Sequence, residues 1–167
     1  MAEDEKLTSA GVYRYSGVGY YDKGDFEGAI KDFTEAIRLD PNAFESYVLR
    51  GYAYEKKRDL DKAIADYANA IRLNPNCKDA YCNRGNVYKG KGDLDKAIAD
   101  YTEVIRLDPN HAIAYYNRGS TYYSKGDLNK ANADFNAILQ LSPNADNANV
   151  IGAARNNLDT IRRERGW

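Results

Sequence analysis

Apolar and polar positions fall in blocks along this chain, and the blocks repeat. The stretch from Gly85 to Asn110, GNVYKGKGDLDKAIADYTEVIRLDPN, reads as half a helix, a Gly-Asp turn, a full amphipathic helix and a proline that stops it. The same pattern returns 34 residues upstream, as GYAYEKKRDLDKAIADYANAIRLNPN from Gly51, and downstream, as GSTYYSKGDLNKANADFNAILQLSPN from Gly119. One step further back stands GVGYYDKGDFEGAIKDFTEAIRLDPN from Gly17. All four prolines, Pro41, Pro75, Pro109 and Pro143, keep that beat. Such a period marks a stack of identical supersecondary units. The pattern predicts an all-α helical repeat array.

Four repeats follow, 10–43, 44–77, 78–111 and 112–145, each a first helix, a turn and a second helix. The first helix carries Tyr13, Tyr47, Tyr81 or Tyr115, then Gly17, Gly51, Gly85 or Gly119, then Tyr20, Tyr54, Tyr88 or Tyr122. That 4-then-3 spacing puts all three on one helical stripe, read as the core stripe. A mid-helix glycine costs about 1 kcal/mol against alanine, so its recurrence implies close helix–helix approach. The turns are Gly24-Asp25, Arg58-Asp59, Gly92-Asp93 and Gly126-Asp127. Glycine supplies the left-handed stop and aspartate caps the next helix, while Arg58 must strain its turn or change its shape. The second helix carries Ala29, Ala63, Ala97 and Ala131, then Phe33, Tyr67, Tyr101 and Phe135, then Ile37, Ile71, Ile105 and Ile138 or Leu139. Asn42 with Glu45, and Asn76 with Asp79, are expected to cap the following first helices. Residues 1–9 form an acidic lead-in, Thr8 or Ser9 capping the first helix. Over 146–167 the period lapses, but Val150, Ile151, Ala154, Leu158 and Ile161 keep an apolar stripe, the mark of a capping helix.

This pattern resembles the tetratricopeptide repeat, whose signature is a large residue, Leu-Gly, Tyr, Ala, an aromatic and a closing Pro over about 34 residues. The resemblance covers 10–145. It implies a right-handed superhelix, an α-solenoid, whose first helices line a concave groove that takes a peptide or partner protein. Two departures stand out. Arginine replaces the usual leucine at Arg50, Arg84 and Arg118, and the small residue after the second-helix aromatic is Ala36 and Ala70 but Val104 and Ile138.

Charge and reactive side chains narrow the function. With 24 basic and 25 acidic residues the net charge is −1, so nucleic acid is not an expected partner. No apolar run approaches the roughly 20 residues of a membrane span. Cys77, Cys82 and His111 make neither a metal site nor a catalytic pair, and His111 is read as a solvated loop residue. No nucleophile adjoins a histidine and no glycine-rich phosphate loop follows a strand, so neither an enzyme nor a cofactor is expected. The N-terminus, MAEDEKLTSAG, shows no secretory signal and two free thiols suit a reducing compartment. The cytoplasm is expected; the alternative is a periplasmic or exported protein whose signal has been removed.

Opposite the core stripe, the second, fifth, ninth and twelfth slots of each first helix face the groove. They hold Arg14, Val18 and Tyr21; Glu45, Val48, Tyr52 and Glu55; Asp79, Cys82, Asn86 and Lys89; Ile113, Tyr116, Ser120 and Tyr123. The candidate partner-binding residues are Arg14, Tyr21, Tyr52, Cys82, Asn86, Lys89, Tyr116 and Tyr123. Tyrosine gives contact area at low entropy cost. Some relatives clamp a peptide's C-terminal carboxylate with Lys, Asn, Asn, Lys and Arg, but the matching slots here lack paired cations. The expected function is a protein-interaction scaffold; the alternative is a structural module that self-associates. Finally, each second helix has an aspartate just before its aromatic, which predicts pairs across successive repeats: Asp32–Arg50, Asp66–Arg84 and Asp100–Arg118.

Overall fold

The computed structural model describes residues 9–141 and 147–164, and the backbone of Arg165. The lead-in over 1–8, Pro143, the junction at Ala145 and Asp146, and Trp167 lie outside the described residues. Among the described residues there are nine α-helices and no strand, as the periodicity predicts. They are α1 (Ser9–Asp22), α2 (Phe26–Leu39), α3 (Phe44–Lys56), α4 (Leu60–Leu73), α5 (Lys78–Lys91), α6 (Leu94–Leu107), α7 (Ala112–Ser124), α8 (Leu128–Gln140) and α9 (Ala148–Arg165). They fall into two compact units, Met1–Val87 and Tyr88–Trp167, with the division inside α5.

The turns inside the hairpins show how backbone chemistry sets the path. Gly24, Gly92 and Gly126 take φ of 79°, 84° and 80°, and Arg58 is forced to 65°. The arginine therefore keeps the shape of the turn and bears the strain. Asp25 Oδ1 accepts from the Gly28 amide at 2.9 Å and Asp127 Oδ1 from Lys130 at 3.2 Å. Asp59 makes no such cap bond and instead holds Lys62 at 2.7 Å. The expected Asn42 cap is not formed: α3 starts after Ala43, which has no capping side chain. Its loop is braced one step earlier, where Asp40 accepts from the Asn42 amide; Asn74 and Asp108 do the same for Asn76 and Asn110. A short side chain bonding the backbone two residues on competes well in a turn. His111 is not a solvated loop residue either. It is the N-cap of α7, its Nδ1 accepting from the Ala114 amide at 3.2 Å.

In the first, second and fourth hairpins the glycine admits the partner aromatic. A Cβ on Gly17 would lie 2.6 Å from Phe33 Cε1, on Gly51 2.7 Å from Tyr67 Cε1, and on Gly119 3.0 Å from Phe135 Cε1. Those aromatics are fully buried with Ala29, Ala63 and Ala131. This contact spans 16 residues in sequence, and it decides the arginine's partner. One residue before each pair, Arg50 meets Asp66 and Arg118 meets Asp134, again 16 apart. Each contact is bidentate: Nε and Nη2 donate at 2.8 and 2.7 Å to Asp66, and at 2.9 and 2.7 Å to Asp134. The Asp32–Arg50 and Asp100–Arg118 pairings expected from the sequence are thus replaced by pairing within the hairpin. Ser16 stands in the arginine's place in the first hairpin, and Asp32 there is only half-buried. A seam contact does survive. Arg50 Nη1 donates to Thr34 Oγ1, and Arg118 Nη1 to Thr102 Oγ1, both at 3.1 Å and both on the preceding hairpin.

The tyrosine stripe is corrected as well. Tyr13 and Tyr20 are 38% and 41% exposed, and Tyr47 alone of the eight is buried, while Tyr54, Tyr115 and Tyr122 pack partly buried against the cores. The stripe instead sheathes the cations. Arg50 lies 5.8 Å from both the Tyr47 and Tyr54 rings, Arg84 5.8 Å from Tyr81, and Arg118 5.7 Å from Tyr115. Lys62, Lys96 and Lys130 cover Tyr54, Tyr88 and Tyr122. Besides Tyr47 and Val48, the buried positions of the first helices are mostly small residues: Ser46, Ala80 and Ala114 on one turn, Ala53, Val87 and Thr121 two turns on. In the second unit α9 packs on α8, and Ile151, Ala154, Leu158 and Ile161 close its core beside Phe135 and Ile138.

Candidate functional site

Two of the eight candidate residues meet in one cavity of the first unit. Val18, Tyr21, Asp22, Phe33, Leu49 and Tyr52 enclose about 290 Å³ between α1 and α3, over the α2 ring of Phe33. The rings are fixed from behind. Tyr21 meets Phe26 edge-on at 5.4 Å, and Tyr52 meets Tyr67 edge-on at 6.0 Å. Asn83 donates to the Tyr52 hydroxyl at 2.8 Å and to the Asp79 carbonyl at 2.6 Å. Tyr67 in turn donates to Glu55 Oε2 at 3.1 Å.

The charges acting on the two tyrosines are carboxylates. Burial, then the charges of Glu55 and Asp22, hold the Tyr21 hydroxyl above the ordinary tyrosine value. Burial also raises Tyr52, with Asn83's bond opposing and Asp79 adding to the rise. Cys82 sits beside Tyr52 and is pushed up to about 11 by burial and Asp79, so it is a thiol at neutral pH. Neither lysine nor arginine lines the cavity.

The other candidates separate by location. Arg14 is half-buried on α1 and Asn86 exposed on α5, and neither lines the cavity. In the second unit Lys89 Nζ donates to Ser120 Oγ at 2.6 Å, and burial lowers its pKa. Tyr116 leans on Phe135 at 5.9 Å, and the Tyr123 hydroxyl donates to Glu164 of α9. Tyr52 and Tyr116 therefore pack against the cores, although their slots lie opposite the core stripe. Val48, assigned to the groove, is 8% exposed and belongs to the core. Sequence reasoning missed Asp22, Phe33 and Leu49 as cavity walls. The signal was present: Gly17 beside Phe33 places that ring under α1.

Family comparisons settle what this arrangement belongs to. Models described as "TPR repeat" match 17–58 and 59–92, and models described as "Tetratricopeptide repeat" match 79–111 and 112–145. The chain belongs to the tetratricopeptide repeat family. Similar solved structures agree. The crystal structure of MamA is 31% identical, with 79% of this chain and 77% of that one covered and a TM-score of 0.76. The first tetratricopeptide domain of Spaghetti (RPAP3), bound to the HSP90 peptide SRMEEVD, is 26% identical, with 70% and 93% covered and a TM-score of 0.68. A tetratricopeptide repeat protein from Parabacteroides merdae is 23% identical, with 93% and 61% covered and a TM-score of 0.82, a likeness of fold alone. A comparison with curated proteins finds no match. Tetratricopeptide domains are protein-interaction modules, a fold used typically as a scaffold rather than an enzyme. In this tetratricopeptide protein no described helix is long and apolar enough to cross a membrane. Among its described residues no His, Cys, Asp and Glu cluster has the geometry to hold a metal ion.

Proposed function

We propose that this protein is a non-enzymatic adaptor that seats a peptide or a segment of a partner protein on the face of its first helices. The observation that carries the reading is the α1–α3 cavity, an apolar recess whose Tyr21 and Tyr52 rings are already held in place. Preformed recesses with a few fixed polar groups are the usual form of a recognition site. The peptide-bound tetratricopeptide neighbour supports a peptide as ligand. The repeats are read as 10–43, 44–77, 78–111 and 112–145, with 146–167 as cap. Val18→Trp would fill the cavity from one wall. Peptides selected on the wild-type protein from a random display library should lose about tenfold or more in affinity for a Val18→Trp variant that melts normally. Undiminished binding would move the site elsewhere.

One observation favours a second reading, self-association. Val12 and Tyr15 on α1 are 55% and 74% exposed. Val12 occupies the slot that Ser46, Ala80 and Ala114 fill in later helices, where each is fully buried. Light scattering over a concentration series would show dimers that Val12→Ser with Tyr15→Ser abolishes; a monomer throughout removes this reading.

A further inference from the structure

Resting on the peptide-binding reading, we propose that the α1–α3 cavity selects a segment with one apolar side chain flanked by lysine or arginine. Ligand pockets usually span roughly 300–1,000 Å³, so about 290 Å³ suits a single side chain rather than a folded element. Five of the six lining residues, Val18, Tyr21, Phe33, Leu49 and Tyr52, offer it rings and methyl groups. The sixth, Asp22, is exposed at the rim and carries the only charge among them.

A second carboxylate acts on the same place. Glu55 is fixed by the Tyr67 hydroxyl and its charge reaches Tyr21, as does that of Asp22; Asp79 acts on Tyr52 from the other side. An anchor entering the cavity thus carries its neighbouring residues past Asp22, Glu55 and Asp79. Cations there are attracted by the carboxylates and by the faces of the two tyrosines. Anionic neighbours meet like charge with no lysine or arginine in the lining to offset it. The ligand chemistry is therefore opposite to that of the acidic SRMEEVD peptide held by the Spaghetti domain.

The test uses three capped synthetic peptides, GSKLKSG, GSELESG and GSKSKSG, titrated into the full-length 15N-labelled protein. GSKLKSG should shift the amides of Val18, Tyr21, Leu49 and Tyr52 and bind about tenfold tighter than either other peptide. Raising sodium chloride from about 0.05 to about 0.5 M should erase most of its advantage over a neutral-flanked GSSLSSG. Asp22→Asn should weaken GSKLKSG about threefold more than it weakens GSSLSSG. If GSELESG binds the same amides as tightly, the charge selection is overturned while the peptide-binding reading stands. If GSKSKSG matches GSKLKSG, the apolar anchor is wrong. If no peptide shifts any of these amides, both this inference and the site beneath it fall.

Discussion

Replacing Arg50 by leucine, the residue more usual in this repeat family at that place, should destabilise this protein. The Asp66 side chain is 4% exposed and Arg50's is 17%, and the two share bonds of 2.8 and 2.7 Å. Burial opposes the arginine's charge, but the bond and the charge of Asp66 outweigh it and raise its pKa. Removing one partner of a buried pair costs roughly 3–5 kcal/mol because the other charge is left without compensation. Water reaches this site past the partly exposed arginine, so about 3 kcal/mol is expected for Arg50→Leu. Asp66→Leu should cost about 2 kcal/mol, since the freed guanidinium can turn toward solvent. The double variant should cost about 2 kcal/mol rather than 5, a coupling of about 3 kcal/mol. Thr34→Val removes the bond from Nη1 together with the Thr34 Oγ1 donation to the Ile30 carbonyl at 2.7 Å, and should cost about 1 kcal/mol. Urea denaturation of the four proteins measures the cycle. Additivity within about 0.5 kcal/mol for Arg50 with Asp66, or strong coupling of Arg50 with Asp32 instead, would refute the pairing derived from the glycine contact.

Three further outcomes follow from the packing. Arg58→Gly relieves a left-handed arginine, a strain of about 1–2 kcal/mol offset in part by glycine's greater freedom when unfolded, and should raise stability by about 0.5–1 kcal/mol in thermal melts. Gly51→Ala drives a methyl to 2.7 Å from the buried Tyr67 ring and should cost about 1–3 kcal/mol, whereas Gly152→Ala, with nothing within 4 Å, should stabilise by about 0.5–1 kcal/mol. Deleting the chain from Asn147 onward strips Ile151, Leu158 and Ile161 from the second core, worth about 1.5–3 kcal/mol each, so aggregation or a much lower melting point is expected by light scattering during heating.

The helices and their hairpins were legible because a 34-residue beat repeats both apolar spacing and stop signals. Arg58 was legible as a misfit, though only its φ shows that the turn keeps its shape. The arginine's partner was misread because two spacings, 18 across the seam and 16 within the hairpin, both place an aspartate in reach. The contact of Gly51 with Tyr67 was the missing discriminator, and the mid-helix glycines already pointed to it. The tyrosine stripe misled for a related reason. Helical phase assigns residues to a face, but an aromatic beside an arginine can cover the cation at the edge instead of entering the core. At the site, Tyr21 and Tyr52 were legible from the slots opposite the core stripe, whereas Asp22, Phe33 and Leu49 belong to it through the crossing of α1, α2 and α3, which no single helix records.

On this reading a ligand's side chain enters the recess between α1 and α3. Intermolecular nuclear Overhauser effects from the methyl groups of Val18 and Leu49 to a bound, library-selected peptide measure that directly. Cross-peaks from both methyl-bearing residues to one apolar side chain of the peptide are expected. Cross-peaks confined to methyls remote from the cavity, such as those of Val12 or Val150, would contradict it.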